Sequence, residues 1–314
     1  MSAAPIVIAH RGASGYLPEH TLEAKALAFG LGADYLEQDV VATRDAELVV
    51  LHDPYLDDVT DVAARFPGRR REDGRHYAID FDLVELRQLA VSERRRSGSR
   101  DARFPARFPP ETAIFRIATL EEELALIAGL NRSMGRSVGI YPEIKDPQWH
   151  REQGIDLARL LVDKLYAHGY RDAGAAAFVQ CFDAGELRRV REELGCKLKL
   201  VQLVGVEAEY AELVSREGLA RVARYADALG PHLSQLVTID EAHAVVQPND
   251  LAREAHRAGL KLHPYTFRRD ELPAWAVGFE ELLSLFITEV GVDGFFSDQP
   301  DIAVAVRDRL SRNP

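Results

Sequence analysis

The sequence predicts a closed (β/α)8 barrel, the TIM-barrel architecture, carrying a small inserted subdomain. Three observations lead there. Short apolar, β-branched runs alternate with helix-length amphipathic stretches along 314 residues, the pattern of a parallel sheet covered by helices. Eight such units can be counted, and a barrel of eight usually takes about 250 residues. No Gly-rich dinucleotide fingerprint opens a helix, so the alternative, an open doubly wound sheet, lacks its usual support.

The strand-like runs are Ile6–Ala9, Tyr35–Val40, Val138–Glu143, Ala177–Cys181, Leu198–Leu203, Gln235–Ile239, Lys261–Pro264 and Gly294–Ser297. The helical stretches are Thr21–Leu31, Leu120–Met134, Ile155–His168, Ala184–Leu194, Leu219–Leu229, Asp250–Ala258, Glu280–Val290 and Asp301–Leu310. Thr119 with Glu122, and Asp183 with Glu186, have capping-box spacing. Pro300 suits the first turn of the last helix.

Two segments break the repeat. Glu47–Leu51 follows Tyr35–Val40 after a gap too short for a crossover helix, so these two runs should be antiparallel. Such a hairpin rises above the rim and returns His52 to the level of Glu37 and Asp39. The second is Asp53–Ala118, rich in Pro, Gly and Arg. A long connection of this kind is usually a functional lid or a mobile segment, and it is expected to lie over one end of the barrel. Its runs Arg69-Arg70-Arg71 and Arg94-Arg95-Arg96 read as solvated surface. Residues 1–314 are expected to form one domain, with the insertion at about 53–118. Val204-Gly205-Val206-Glu207 reads as the loop after the fifth strand.

Composition narrows the function classes. With 46% hydrophobic and 28% charged residues the chain reads as a soluble globular protein. No apolar stretch approaches the roughly 20 residues that cross a bilayer. The net charge of −11 argues against nucleic acid as a partner, since phosphate backbones need a basic surface. A small anionic ligand remains compatible if its pocket is locally cationic, through Arg11, Lys145 and a bound metal. Met1-Ser2-Ala3-Ala4-Pro5 has neither a basic nor an apolar leader region. The expectation is a cytoplasmic protein if the chain is complete as given, and a periplasmic or secreted one if a leader was trimmed. Cys181 and Cys196 read as free, buried thiols.

In a (β/α) barrel, chemistry gathers at the C-terminal ends of the strands. Those ends hold His10, Glu37, Asp39, Glu143, Lys145, Gln180, Phe182, Gln202, His263 and Ser297. Glu37 and Asp39 are two apart and share one side of their strand; Glu143 and Lys145 do likewise. Three converging carboxylates repel one another unless a cation joins them. Oxygen ligands indicate a hard ion, Ca²⁺ or Mg²⁺, with a zinc site using His10 or His52, or a structural Arg/Lys network, as alternatives. His10 and His52 flank this group, each beside a charged residue, and suit an acid–base pair. His20, His232, His243 and His256 lack that context and read as structural. His263 either contacts substrate or buttresses the rim. Phe182, Tyr265 and Phe296 either line a pocket or belong to the core. No Gly-x-Ser-x-Gly elbow and no P-loop occurs.

Several blocks carry a family resemblance: Ile8-Ala9-His10-Arg11-Gly12-Ala13, Pro18-Glu19-His20-Thr21, Gly32 to Val40, Leu48 to Asp53, Ile140 to Lys145, Gln180 to Asp183, His263 to Thr266 and Gly294 to Asp298. In order and along nearly the whole chain, they resemble the signature blocks of the glycerophosphodiester phosphodiesterases. The likeness is strongest to the bacterial periplasmic-type branch, which has a longer insertion. The resemblance implies hydrolysis of glycerophosphodiesters, such as glycerophosphocholine or glycerophosphoethanolamine, to sn-glycerol 3-phosphate and an alcohol, within glycerol and lipid metabolism. It implies His10 and His52 as the acid–base pair and Glu37, Asp39 and Glu143 as ligands of one divalent cation, with Ca²⁺ favoured over Mg²⁺. It also implies Arg11 and Lys145 as phosphate contacts; Phe182, His263 and Tyr265 are further candidate substrate-binding residues by their own positions in the chain. Rival readings are a phosphodiesterase for lysophospholipid or phosphoinositide, and a non-catalytic phosphodiester- or metal-binding barrel.

Overall fold

Eight parallel strands circle a barrel in the computed structural model, which describes residues 4–110, 112, 114–240 and 245–312. β1 (Ile6–Ala9) leads through α1 (Leu22–Gly30) to β2 (Tyr35–Ala42), which turns back as β3 (Leu48–Val50). The insertion follows, with the one-turn helices α2 (Val62–Arg65) and α3 (Leu83–Leu86). Then come α4 (Leu120–Met134), β4 (Gly139–Ile144), α5 (Pro147–Glu152), α6 (Leu157–Ala167), β5 (Phe178–Cys181), α7 (Ala184–Glu192) and β6 (Lys199–Val204). The last third holds α8 (Arg216–Val222), β7 (Ala228–Pro231), β8 (Val237–Asp240), β9 (Val245–Pro248), α9 (Leu251–Arg257), β10 (Lys261–Leu262), α10 (Phe279–Leu285), β11 (Gly294–Ser297) and α11 (Pro300–Arg312).

The ladder runs β11-β1-β2-β4-β5-β6-β7-β10. Between β10 and β11 the ring closes through Asp293 N–H to Leu262 C=O at 2.9 Å and Phe296 N–H to Pro264 C=O at 3.1 Å. Ile8, Tyr141, Phe178, Val201, Ala228 and Phe296 fill the inside. The helices bury a larger apolar belt against the outer face of the strands. α4 shows how local sequence sets a boundary: Thr119 and Glu122 form the reciprocal capping box. Its far end stops at Gly135, whose φ of 63° a glycine adopts without cost. At α7 only half a box forms, since Asp183 accepts from Glu186 N–H while the Glu186 carboxylate binds Arg151 and Arg189 instead.

The hairpin is as expected: β3 pairs antiparallel with the end of β2, and Leu51 N–H reaches Asp39 C=O at 2.9 Å. The thiols of Cys181 and Cys196 are free and buried. Among the described residues no helix is long and apolar enough to cross a membrane; His243 lies outside them.

One barrel strand corrects the sequence reading. Gln235–Ile239 was expected to be the sixth strand; its place is taken by Ala228–Pro231, between β6 and β10. Val237–Asp240 instead pairs with Val245–Pro248 as a two-stranded ribbon outside the barrel. The expected helix Leu219–Leu229 accordingly stops at Val222. The true strand has no β-branched residue, and packing explains one of its members. A Cβ on Gly230 would lie 2.6 Å from Leu203 Cδ2, so glycine lets neighbouring strands approach.

The insertion has a core of its own. Leu56, Val62, Phe81, Leu86, Leu89, Val91 and Phe115 pack on Val41, Val49 and Leu51 of the hairpin. The segment leans over the C-terminal rim, where Arg107 reaches Ser14 C=O and Asp298. The arginine runs are not uniformly solvated: Arg94 is 7% exposed, because it fills a pocket of carboxylates there.

Candidate active site

β2 and β4 run side by side with Asp39 opposite Glu143. Alternation then sends Glu37, Asp39 and Glu143 to one place, where ligand oxygens from all three lie within 4.8 Å of one another. Around them is a cavity of about 150 Å³ lined by His10, Arg11, His52, Lys145, Gln180, Phe182, His232, Tyr265, Arg268 and Phe296, among others. A broader groove of about 640 Å³ shares Glu143, Lys145 and Phe182 with it and opens past Trp149 and Tyr210.

The trio is unevenly compensated. Arg11 N–H and Gln180 Nε2 each donate to Glu37 at 2.9 Å. The turn after β1 aims that N–H, with Arg11 at φ 57° and Gly12 at φ 90°. Lys145 Nζ donates to Glu143 at 2.8 Å, and His20 Nε2 to Asp39 at 2.7 Å. Burial works to raise Asp39, but Lys145, His20 and Arg11 outweigh it and hold it well below the usual range. Burial and the charge of Asp39 push Glu37 well up. Burial pushes Glu143 up to about 7 in spite of Lys145. Burial and the mutual charge of the trio thus oppose ionisation of Glu37 and Glu143 when no cation is bound. The donors are oxygens, and Gln180 Oε1, also buried, has no hydrogen-bond partner. This set fits a hard divalent ion. Among the described residues it is the one cluster of metal-binding proportions.

Both expected histidines reach the cavity, and each ring is held from behind. His10 Nδ1 donates to Asp298 at 2.6 Å, leaving Nε2 3.8 Å from Glu37 Oε2. His52 Nδ1 donates to Asp53 at 2.8 Å. In each case the bond to the carboxylate sets the tautomer and presents Nε2 as the basic nitrogen. Burial and then Arg11 lower His10 to about 4. His52, one-third exposed, is lowered by its partial burial and by Arg11 and Lys145.

Most sequence-predicted residues converge here: His10, Arg11, Glu37, Asp39, His52, Glu143, Lys145, Gln180, Phe182, Tyr265 and Phe296 all line the cavity. His263 does not. It is 1% exposed, accepts from the Tyr141 hydroxyl or donates to it at 2.7 Å, and packs edge-on to Phe178, inside the barrel. Gln202 and Ser297 are likewise buried away from it, bonded to backbone groups. Sequence reasoning missed Asp298 behind His10, Glu19 against the Arg11 guanidinium and Arg268 in the cavity wall, and took His20 and His232 as structural although His20 braces Asp39 and His232 lines the cavity. Asp298 had a signal: Ala9 pairs with Ser297, so the residue after each strand end is a neighbour of the other.

Fold and site define a barrel hydrolase for a phosphate ester. The model of the glycerophosphoryl diester phosphodiesterase family matches residues 10–302. A glycerophosphodiester phosphodiesterase of Haemophilus influenzae is 41% identical, over 97% of this chain and 90% of its own length. A Silicibacter pomeroyi crystal structure bearing the family's name superposes with a TM-score of 0.75 at 22% identity, over 99% of this chain and 95% of that one. An Oleispira antarctica phosphodiesterase, solved in complex with the product sn-glycerol-3-phosphate, has a TM-score of 0.65 at 22% identity, over 97% of each chain. The chain belongs to the glycerophosphoryl diester phosphodiesterase family, and so to the phosphoric diester hydrolases.

Proposed function

We propose that this protein hydrolyses glycerophosphodiesters to sn-glycerol 3-phosphate and an alcohol, using His10 and His52 as the acid–base pair. One observation carries the reading. Two imidazoles, each tied at Nδ1 to a carboxylate, border the same small cavity as the acidic trio and the cations Arg11 and Lys145. The H. influenzae relative bears the name of this activity.

Glu37, Asp39 and Glu143 would hold one divalent cation, Ca²⁺ in preference to Mg²⁺, which when bound withdraws charge from the phosphoryl oxygens. Arg11 and Lys145 supply further positive charge to the phosphate and orient it. One imidazole takes the proton of the glycerol 2-hydroxyl, whose oxygen attacks phosphorus. The other gives a proton to the leaving alcohol as the P–O bond to it breaks, and a cyclic phosphate remains. Water then opens the ring with the two roles exchanged. A nucleophile already attached to the substrate removes an entropic barrier worth up to about 7–11 kcal/mol in favourable systems. The anionic substrate also offsets the field of Arg11, which adds to burial in depressing both imidazoles, and so makes the proton-bearing form accessible. Phe182 and Tyr265, at 5.8 Å between ring centroids, form the wall where the cavity meets the groove, and the alcohol departs along it.

The deciding experiment measures sn-glycerol 3-phosphate released from glycerophosphocholine and glycerophosphoethanolamine, in chelator and with Ca²⁺ or Mg²⁺ restored. Release dependent on the cation supports the reading. No release from either substrate with either ion overturns it.

A further inference from the structure

The two carboxylates behind the imidazoles are themselves held, and in both cases from the insertion. Asp53 meets His52 through Oδ1, while its Oδ2 accepts from Arg94 Nη1 at 2.6 Å. Asp298 meets His10 through Oδ1, while its Oδ2 accepts from Arg107 Nη2 at 2.7 Å and from Arg268 Nε at 3.0 Å. Arg94 and Arg107 both lie between β3 and α4. Each guanidinium is fixed by a second, two-bond carboxylate contact. Arg94 holds Glu19 at 3.0 and 2.7 Å, and Arg107 holds Asp270 at 2.7 and 2.8 Å. Glu19 in turn accepts from Arg11 at 3.1 and 3.0 Å.

We propose that the insertion is a positioning clamp for both imidazoles, with Arg94 acting on His52 through Asp53 and Arg107 acting on His10 through Asp298. An aspartate that holds only a ring nitrogen keeps a broad, roughly two-fold χ2 torsion. A charge-assisted bond to its second oxygen removes that freedom, and with it the freedom of the ring. Proton transfer needs this: displacement of a reacting group by about 1 Å can cost 10²-fold in rate. Burial sets these two arginines apart from ordinary surface cations, since the Arg94 side chain is 9% exposed and that of Arg107 5%. Arg94 and Arg107 are positioning residues, and their role rests on the proposed function of His10 and His52.

Two readouts test the clamp on the full-length protein. The first is steady-state kinetics on glycerophosphocholine with Ca²⁺ for Arg94→Gln, Arg94→Lys, Arg107→Gln and Arg107→Lys. Each Gln variant should lose about 10- to 100-fold in kcat with KM within about threefold, and each Lys variant should recover part. Arg107→Gln should cost nothing further in a His10→Ala background, nor Arg94→Gln in a His52→Ala background. The second needs no turnover: nitrogen-15 NMR of the imidazoles, following solvent exchange at Nδ1–H. Exchange should quicken at His52 in the Arg94 variants and at His10 in the Arg107 variants, with the charge-keeping Lys forms reporting even where Gln forms do not fold. Wild-type kcat with unchanged exchange overturns the clamp, as does an equal loss in the His→Ala backgrounds. Quickened exchange in the variants, together with a wild type that hydrolyses no glycerophosphodiester, upholds the clamp and overturns the reaction instead.

Discussion

His20 Nε2 donates to Asp39 Oδ2 at 2.7 Å, and its Nδ1 lies 3.4 Å from Lys25 Nζ. Burial lowers this imidazole to about 4, so it is neutral at pH 7, with its one N–H directed at the carboxylate and its lone pair toward the ammonium. A partner behind a ligand carboxylate fixes its orientation, and removing such a partner typically costs about 10- to 100-fold in metal affinity. His20→Ala should weaken Ca²⁺ or Mg²⁺ binding by that amount in calorimetric titration; unchanged affinity would show that Asp39 does not depend on it.

General acid–base action contributes about 10²–10⁴-fold. His10→Ala and His52→Ala should each lose turnover in that range while keeping the thermal midpoint of the wild type. A diester analogue without the glycerol 2-hydroxyl should resist cleavage, and ready hydrolysis of it would exclude the cyclic phosphate.

Cation removal should act on stability as well as on rate. Glu37 is pushed well up and Glu143 up to about 7, chiefly by burial, so a bound divalent ion relieves a real electrostatic cost. At a hundred times its dissociation constant a ligand adds about 2.7 kcal/mol of stability. The melting temperature should rise with Ca²⁺ and fall on chelation. Protons compete for the same oxygens, so affinity should weaken as pH falls below about 7. A pH-independent affinity would contradict this assignment of the trio.

Glu93 in the insertion is buried, and its Oε2 has no hydrogen-bond partner. Burial and then the charge of Glu19 push it up to about 8 from 4.5. The folded state therefore binds the proton more tightly than the unfolded chain. Its contribution to stability is complete below the unfolded value and is lost as pH rises through about 8, at up to about 1.4 kcal/mol per pH unit. Glu93→Gln cannot ionise, so its melting temperature should fall less than that of the wild type between pH 5 and 8. Parallel curves would refute the assignment.

Lys25 and Glu123 are both fully buried and bonded at 2.8 Å, and Lys25 also donates to Glu37 C=O. Breaking a buried pair by removing one partner costs about 3–5 kcal/mol. Glu123→Ala should lose that much in denaturant unfolding, and the Lys25→Met/Glu123→Leu double variant much less. Equal losses would mean that shape, not charge, governs the site.

His10, Glu37, Asp39 and Glu143 are legible in the sequence because they end apolar strands, and because residues two apart share a face whatever the fold. His52 is legible through a gap too short for a helix, which leaves a hairpin as the remaining connection. These are local facts, within reach of a linear reading. The sixth barrel strand is not legible, since Gly230 answers to the proximity of Leu203 and leaves no apolar alternation to read. Asp298 behind His10, Arg94 behind His52, and Arg107 behind Asp298 are equally hidden. Their partners are separated by 288, 41 and 191 positions in the relevant bonds, and only ring closure and the docking of the insertion bring them within 3 Å. A strand's own periodicity decides which side chains face the cavity. What holds those side chains still is decided by contacts that exist only once the barrel has closed.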